Sequence, residues 1–188
     1  DEACHDDITV ATSLLEARIL AGNVAQAGLP MQLLNKNWSQ TKFYEAKMAE
    51  AKERYVKHNS TEYNLEPDLK NAPGGLRDIH TVGWISKRYF RVTNLFGLVQ
   101  QEFITEKEFD ELQQAEDFLW LIRHHLHKIA KRNENRVLFD YQRLIAERIG
   151  YRDNSHPNAA VEQFMRDYYR YAMSNSTLSE MLTQHYYE

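Results

Sequence analysis

The residues best suited to chemistry lie together at positions 65–80, in a segment that interrupts a chain of otherwise helical pattern. Its turn-forming residues are Pro67, Pro73, Gly74 and Gly75. The prolines forbid a continuous helix, and the glycine pair lets the backbone reach φ > 0 or approach another group closely. Asp78 is suited to cap a helix that continues through Ile79 and Tyr89. The pattern therefore predicts a shaped loop at a helix N-terminus.

Two basic residues of this segment, Lys70 and Arg77, indicate what such a loop could bind. Backbone N–H groups and the helix dipole favour an anion such as phosphate at a helix N-terminus. The candidate ligand contacts are therefore Lys70, Gly74, Gly75, Arg77 and Asp78. The alternative is a turn closed by a salt bridge, because charged loop residues most often meet solvent or one another.

Other clusters of reactive side chains have weaker spacing. His124, His125 and His127 are close in sequence, yet such positions on a helix do not converge on one metal ion. His5 and Asp6 form a doublet of the kind used by metal-dependent phosphohydrolases, but no further ligands follow at suitable spacing. No nucleophile motif supports a Ser/His/Asp hydrolase. We therefore predict neither a metal site nor a catalytic residue in this chain.

Helical periodicity dominates the chain on both sides of the 65–80 segment. Residues 7–22 carry one apolar stripe, so we expect a helix there that ends at Gly22. Asn23 is expected to cap a second, shorter helix, which either stops near Pro30 or resumes beyond it.

A longer helix is expected to begin near Ser39 or Thr41. Its buried face would carry Tyr44, Met48, Ala51 and Tyr55. Its opposite face mixes both signs of charge at Lys47, Glu50, Lys52, Glu53 and Lys57. We expect that charged face to be solvated.

The clearest predicted helix opens at Thr105, because Glu108 three residues later completes a capping box. Its core seam consists of Leu112, Ala115, Leu119, Ile122, Leu126 and Ile129. A shorter helix is predicted at Phe139–Ile149 with Gly150 as its stop, and a last helix opens around Pro157. No convincing strand pattern occurs, so we predict an all-α fold, a multi-helix antiparallel bundle with short loops.

The composition excludes several classes of protein. A chain of 188 residues with 43% apolar content can bury a sizeable core as one large or two small domains. No apolar run approaches about twenty residues and no leader is visible, so we expect neither a membrane span nor a signal peptide. The single cysteine, Cys4, fits a reducing cytoplasm. A net charge of −4 gives no reason to expect nucleic acid as a partner.

The 65–80 segment also carries a family resemblance. The signature of the bacterial uridylyltransferase/uridylyl-removing enzymes, which modify the nitrogen-regulatory protein PII, resembles EPDLK at 66–70 and PGGLRDIH at 73–80. Segments 7–18 and 136–142 are similar to further parts of the same family, in the family's order. The related glutamine synthetase adenylyltransferases continue their similar run with Glu. This chain has His80 there, which favours the uridylyltransferases.

The resemblance implies that residues 1–188 form the helical domain beside a nucleotidyltransferase core. Such cores hold two Mg²⁺ ions with an Asp-x-Asp pair and a third carboxylate. No Asp-x-Asp occurs in this chain. In the family these carboxylates precede the helix that residues 7–22 resemble. We therefore expect the catalytic core before this chain, and the phosphohydrolase and ligand-sensing domains beyond it.

By the same resemblance, the full enzyme uses Mg²⁺ to transfer UMP from UTP to a tyrosine of PII, and removes it in a separate domain. The expected partners are PII, UTP and the enzyme's own core, and this chain is expected to be inactive alone and to bind no Mg²⁺. Arg18, on the helix that follows the core, becomes a candidate contact to nucleotide phosphates, with a structural salt bridge as its alternative. A purely structural or protein-docking module, or the helical domain of an adenylyltransferase, remains the other hypothesis.

Overall fold

The computed structural model describes residues 5–22, 28–58, 61–154 and 156–186. Eight α-helices are delimited within these ranges, and no residue there belongs to a strand. In chain order they are α1 (Ile8–Leu15), α2 (Leu29–Asn37), α3 (Gln40–Lys57), α4 (Leu76–Phe90), α5 (Phe96–Gln100), α6 (Glu106–Ala130), α7 (Phe139–Ile149) and α8 (Ala159–His185). The all-α prediction is confirmed. Within the described ranges, no helix is both long and apolar enough to cross a membrane.

The first helix is shorter than the sequence indicates. Asp7 caps it by accepting a hydrogen bond of 2.7 Å from the amide of Thr9, but α1 ends at Leu15 rather than at Gly22. Residues 16–22 are all exposed, so no packing offsets the entropy lost by extending the helix. The predicted end at Gly22 is therefore wrong, although Gly22 does have a left-handed φ of 111°.

The next two helices follow the local signals in the sequence. Asn23, the expected cap of the second helix, lies outside the described residues. Beyond Gly28 a helix is present as expected, because α2 begins at Leu29 and carries Pro30 in its first turn, where a missing N–H group is tolerated. Ser39 caps α3, and its hydroxyl accepts a hydrogen bond of 3.0 Å from the amide of Lys42. The predicted start at Ser39 is confirmed.

The charged face predicted for α3 contains one error. Lys52 and Glu53 are exposed, as expected. Lys47, in contrast, is only 2% exposed. Its ammonium group pairs with Glu50 and lies 4.4 Å from the ring centroid of Trp84. The ion pair and the cation–π contact offset the cost of burying this charge. Helical periodicity along α3 could not predict the cation–π contact, because Trp84 lies on another helix.

The main hydrophobic core lies where α6, α7 and α8 meet the 65–80 segment. Buried residues of the predicted seam on α6 are Leu112, Ala115, Leu119, Ile122 and Leu126. The later part of this seam packs against Ile145 of α7 and against Phe164 and Tyr168 of α8. Leu69 and Leu76 of the 65–80 segment belong to the same cluster. The segment is therefore built into the core.

The ends of the long helices confirm most of the predicted boundaries. The capping box is formed, because the Thr105 hydroxyl accepts from the amide of Glu108, whose carboxylate accepts from the Thr105 amide at 2.8 Å. Gly150 ends α7 with a φ of 107°. The last helix starts two residues later than Pro157, after Asn158 in a left-handed conformation with a φ of 76°. Local capping chemistry was therefore a good guide to these ends.

Two further clusters position the remaining helices. Val82 of α4, Leu98 of α5 and Leu182 of α8 belong to one of them. The other holds α1, α2 and α3 together through Ala11, Leu34, Trp38 and Phe43. The α4 helix thus lies beside α8 on one side and beside α1 and α3 on the other.

Candidate functional site

Residues 67–75, which we call the motif loop, are closed by their own polar groups. The carboxylate of Asp68 accepts hydrogen bonds from the amides two and three residues later, at 2.8 and 2.7 Å. This arrangement is an Asx turn. Two backbone hydrogen bonds of 2.9 Å then join the loop to residues 135–137, just before α7. These hydrogen bonds fix the backbone of the loop without any contribution from the side chains of Lys70 and Arg77.

The glycine pair allows the motif loop to touch α8. Gly74 has a φ of 75°, and a Cβ atom there would lie 2.1 Å from the carbonyl oxygen of Ala172. A Cβ atom at Gly75 would lie 2.9 Å from the carbonyl oxygen of Ala72. The side-chain amide of Asn175 donates to the carbonyl oxygens of both glycines, at 2.8 and 3.1 Å. The prediction of a close backbone approach at this pair is confirmed.

Asp78 is the centre of a buried polar network. One carboxylate oxygen accepts a hydrogen bond of 2.8 Å from Arg54 Nη1, and the other accepts one of 2.7 Å from the Gly74 amide. Arg54 Nη1 also lies 3.3 Å from the carbonyl oxygen of Asn71. Burial raises the pKa of Asp78, whereas Arg54 and the Gly74 amide favour its charged form. We call Arg54, Gly74, Asp78 and Asn175 the Asp78 network; it joins the motif loop to α3, α4 and α8.

This network corrects one prediction about the start of α4 and limits another. The N-cap is Gly75, and Asp78 is the third helical residue, whose carboxylate reaches back to the amide of Gly74. The first three amides of α4 all donate to carbonyl oxygens of residues 69–75, at 2.9 to 3.1 Å. They are not available to a ligand. A phosphate at this site would therefore have to be bound by side chains, and the predicted anion contact of Lys70 and Arg77 stays a prediction.

The side chains of Lys70 and Arg77 do not belong to the Asp78 network. Within the described ranges, neither side chain has a hydrogen bond or an ion pair. The Arg77 guanidinium lies 5.3 Å from the ring centroid of Trp84, and the Arg123 guanidinium lies 5.1 Å from that of Trp120. Burial lowers the pKa of Lys70, and the nearby charges of Arg77 and Arg123 lower it further. We call Lys70, Arg77 and Arg123 the cationic cluster.

A groove of about 440 Å³ lies beside this cluster, between α4 and α6. Its polar and aromatic lining includes His80, Trp84 and Lys87 from α4 and Gln113 and Glu116 from α6. The ring centroid of His80 lies 5.7 Å from that of Trp84 and 6.3 Å from that of Trp120. Burial, followed by the charges of Arg77 and Lys70, lowers the pKa of His80 to about 4. His80 is therefore neutral at pH 7.

Arg18 is separate from the other candidates. It is exposed and follows the end of α1, and no hydrogen bond or ion pair of its side chain is found in the described parts of the chain. Its neighbour Glu16 instead pairs with Lys87 at 2.7 Å, at the edge of the groove. The role of Arg18 therefore stays a prediction. Among the described residues, no group of three or more His, Cys, Asp or Glu side chains could hold a metal ion, including the histidines of α6.

The sequence did not predict several residues of the Asp78 network and of the groove between α4 and α6. No local signal pointed to Arg54 or Asn175, because they are distant in sequence from Asp78. The α4 face could have been found, since Arg77, His80 and Trp84 follow helical spacing from the start of the predicted helix.

The part of the sequence that contains the motif loop and α4 matches a known family. The sequence model of the GlnD PII-uridylyltransferase family matches residues 42–183, well over half of the chain. The chain belongs to this family. The match includes the motif loop, α4, Arg54 and Asn175, whereas Arg18 lies before it. The resemblance found in the 65–80 segment is confirmed, and the family is that of the uridylyltransferases.

Individual relatives agree with this family. The chain is 67% identical over 184 residues to a protein of Psychrobacter sp. (strain PRwf-1), and 62% identical to one of Psychrobacter cryohalolentis. It is 54% identical over 189 residues to a protein of Acinetobacter baumannii. All three relatives are named bifunctional uridylyltransferase/uridylyl-removing enzyme. The matches cover 97 to 100% of this chain but only 20 to 21% of each relative. No solved structure matches the chain.

Proposed function

We propose that this chain is the helical part of an enzyme that transfers UMP from UTP to a tyrosine of PII, and that the full enzyme also removes the UMP. The observation that supports this proposal is the family match, together with relatives whose printed name contains both activities. The chain spans about 20% of such a relative and contains no Asp-x-Asp pair. The proposal therefore assigns Mg²⁺ and its carboxylates to a catalytic core outside this sequence. An enzyme that uses UTP and PII would work in the cytoplasm.

Within that enzyme, the motif loop would act through a fixed backbone. The Asp78 network holds the loop against α3 and α8. Gly74, Gly75 and Asp78 would therefore position the loop backbone and would not contact a ligand themselves. Lys70 and Arg77 extend from this backbone without an acidic partner among the described residues. Unpaired guanidinium and ammonium groups favour an anion, either a nucleotide phosphate or a carboxylate of the catalytic core. That contact is the proposed role of the two cations.

The assignment of activity is tested by comparing this chain with the full enzyme. Each is incubated with UTP, Mg²⁺ and PII, and the modified PII is measured by mass. We expect transfer by the full enzyme and none by the 188-residue chain, because without metal-binding carboxylates the charge on the transferring phosphoryl group is not neutralised. Transfer by the chain after contaminants are excluded would contradict the assignment to a separate core. A full enzyme without transfer activity would contradict the whole proposal.

The role of the cations is tested with Arg77→Lys in the full enzyme. Lysine keeps the charge but loses the planar, bidentate guanidinium, so UMP transfer should fall about tenfold. UMP removal and the melting temperature should not change. Arg166→Lys on the exposed face of α8 is the matched control. Wild-type transfer with a lowered melting temperature would instead support the second candidate, a purely structural module, which the buried Asp78 network favours.

A further inference from the structure

A cavity of about 370 Å³ lies between α3 and α8. Both helices pack against α4, and the hydroxyl of Tyr44 on α3 donates a hydrogen bond of 2.8 Å to the carbonyl oxygen of Thr183 on α8. These contacts hold the two walls in place, and the volume lies in the range of small-molecule sites. Among the described residues, none is shared between this lining and either the cationic cluster or the groove between α4 and α6.

The two walls of the cavity differ in chemistry. On α3, Met48 and Ala51 provide apolar surface, and Tyr55 follows at helical spacing. On α8, the lining residues are polar and recur with helical periodicity, so they share one face of the helix. They are Ser176, Ser179, Glu180, Thr183 and Gln184. A ligand between the walls would meet apolar atoms on one side and polar atoms on the other.

Four hydroxyl groups line the cavity, and each donates its single proton elsewhere. Thr81 and Thr183 donate to backbone carbonyl oxygens at 2.7 and 2.8 Å. Ser179 donates to Asn175 Oδ1 at 3.1 Å, and Ser176 donates to a carboxylate oxygen at 2.7 Å. All four partner atoms are oxygens that can only accept, so the direction of each hydrogen bond is fixed. The hydroxyl oxygens therefore have only lone pairs left for a ligand.

Two glutamates add negative charge to the lining. Glu62 is the carboxylate that accepts from Ser176, and Glu180 accepts a hydrogen bond of 3.2 Å from Gln184. Each of these bonds uses one oxygen of the carboxylate, and neither glutamate forms an ion pair within the described ranges. The second oxygen of each carboxylate is therefore available to a donor.

The cations of the lining do not make the cavity an anion site. Arg54 is already paired with Asp78, and its Nε atom, which has no partner among the described residues, is itself fully buried. A ligand in the cavity does not reach that atom. Lys52 is exposed to solvent, where water weakens its attraction for an anion. Three carboxylates in the lining face two cations, so the charge balance favours a positive ligand.

We propose that the cavity between α3 and α8 binds a small organic cation, a primary ammonium group on a short alkyl chain. An ammonium group has three N–H donors and no acceptor, which matches Glu62, Glu180 and the hydroxyl oxygens. The alkyl chain would pack against Met48 and Ala51. The proposal goes beyond UMP transfer and rests on the residues of this chain alone. Because Pro73 also lines the cavity, a bound cation would lie against the motif loop.

The test is a titration of the isotope-labelled 188-residue chain, followed by NMR, with n-butylammonium chloride at pH 7 and low salt. We expect saturable shifts of the amide signals of residues 48–55 and 176–184. The comparison ligands are n-butanol, sodium butyrate and ammonium chloride, which lack the charge, reverse it, or lack the chain. Each should bind at least about tenfold more weakly than n-butylammonium. Added sodium chloride should weaken n-butylammonium, because salt screens its attraction to the carboxylates.

Two sets of substitutions separate the polar wall from the apolar wall. Combining Glu62→Gln with Glu180→Gln should weaken n-butylammonium about tenfold and leave n-butanol unchanged. Met48→Ala should weaken both ligands by a similar factor, about threefold, because both use the apolar wall.

Matched controls lie on the same helices, outside the cavity. Combining Glu53→Gln on α3 with Glu162→Gln on α8 changes the net charge equally at two exposed sites, and Met181→Ala truncates an exposed methionine of α8. These variants should bind n-butylammonium like the wild type. Melting temperatures without ligand check that every variant is folded.

Three results would overturn the proposal. One is the absence of saturable shifts at residues 48–55 and 176–184 with about 50 mM n-butylammonium, at which a site of about 10 mM affinity is mostly occupied. Another is binding of n-butanol or butyrate as tight as that of n-butylammonium, which would mean a purely apolar or an anion-binding cavity. The third is equal n-butylammonium affinity in the double glutamate variant of the cavity and in its exposed control.

Discussion

The inner and outer sides of the motif loop and of the first turn of α4 stabilise their charges in different ways. On the inner side, the Asp78 carboxylate has two donors within 2.8 Å and is buried between α3 and α8. On the outer side, Lys70 and Arg77 have aromatic and cationic neighbours but no ion pair in the described ranges. A buried charge without a partner costs several kcal/mol, whereas partly exposed like charges cost little. The fold therefore depends on the inner charges and tolerates the outer ones.

This contrast shows how one short sequence can serve two purposes. The glycines and Asp78 fix the path of the backbone, and that path determines where Lys70 and Arg77 extend. A ligand contact made by the outer cations would need no flexibility in the loop, because their backbone is already hydrogen-bonded to the rest of the domain. Substitutions on the two sides should therefore have different consequences.

The largest expected effect is that of Gly74→Ala. A left-handed φ of 75° is unfavourable for alanine, and its Cβ atom would lie 2.1 Å from the Ala172 carbonyl oxygen. We expect a loss of about 3–6 kcal/mol in the free energy of unfolding, measured by urea denaturation. The control is Gly83→Ala in α4, where nothing lies within 4 Å of the added Cβ. Alanine there should stabilise the helix by about 1 kcal/mol. Equal stabilities of the two variants would show that α8 does not approach the loop this closely.

The next effect concerns the buried ion pair. Asp78→Asn keeps the size of the side chain and one hydrogen bond, but leaves the Arg54 guanidinium, which is 11% exposed, without a countercharge. We expect a loss of about 3 kcal/mol in the free energy of unfolding. Lys107→Gln, which removes an exposed pair with an N···O distance of 3.8 Å, should cost less than about 0.5 kcal/mol. Combining Arg54→Leu with Asp78→Asn should recover part of the loss, and no recovery would mean that the pair is not coupled.

Local signals in the sequence predicted much of the fold. The all-α class, the capping box at Thr105 and the boundaries of α7 depend on residues within a few positions of each other, and all were found. The end of α1 at Leu15 was not, because it depends on the absence of packing beyond that residue. The short helix α5 was not predicted either, since it has only five residues. Capping residues indicate where a helix can end, and tertiary packing determines how far it extends.

The candidate site was only partly predictable for the same reason. The 65–80 segment showed that a shaped, charged loop was present, and its glycines were assigned correctly to a close backbone approach. The buried state of Asp78 depends on Arg54, which lies on another helix. The burial of Lys47 depends on Trp84, also on another helix. Such pairings join residues whose separation in sequence carries no periodic signal.

A third prediction concerns pH and the outer side. His80 has a pKa lowered to about 4 in the folded chain, because of burial and the charges of Arg77 and Lys70. The unfolded chain, with an ordinary histidine pKa of about 6.5, binds the proton more readily below that pH. Stability should therefore fall as the pH is lowered, by about 2 kcal/mol between pH 7 and pH 5 from this residue. Comparing the wild type with His80→Gln isolates the effect, and His156→Gln is the exposed control. Identical pH profiles for wild type and His80→Gln would contradict it.

The smallest expected effect comes from substitutions of Lys70, and it tests most directly whether the outer side differs from the inner side. Lys70 is repelled by Arg77 and Arg123, so Lys70→Gln should leave stability unchanged or raise it slightly. Lys70→Glu adds an attraction to both arginines, opposed only in part by Asp68, and should raise the free energy of unfolding by about 0.5 kcal/mol at low salt. The gain should disappear at about 1 M salt, because exposed charges are then screened. Urea denaturation at both salt concentrations measures it. If Lys70→Glu instead lowers the free energy of unfolding at both salt concentrations, Lys70 contributes to the fold as Asp78 does. The distinction between the two sides of the loop then does not hold.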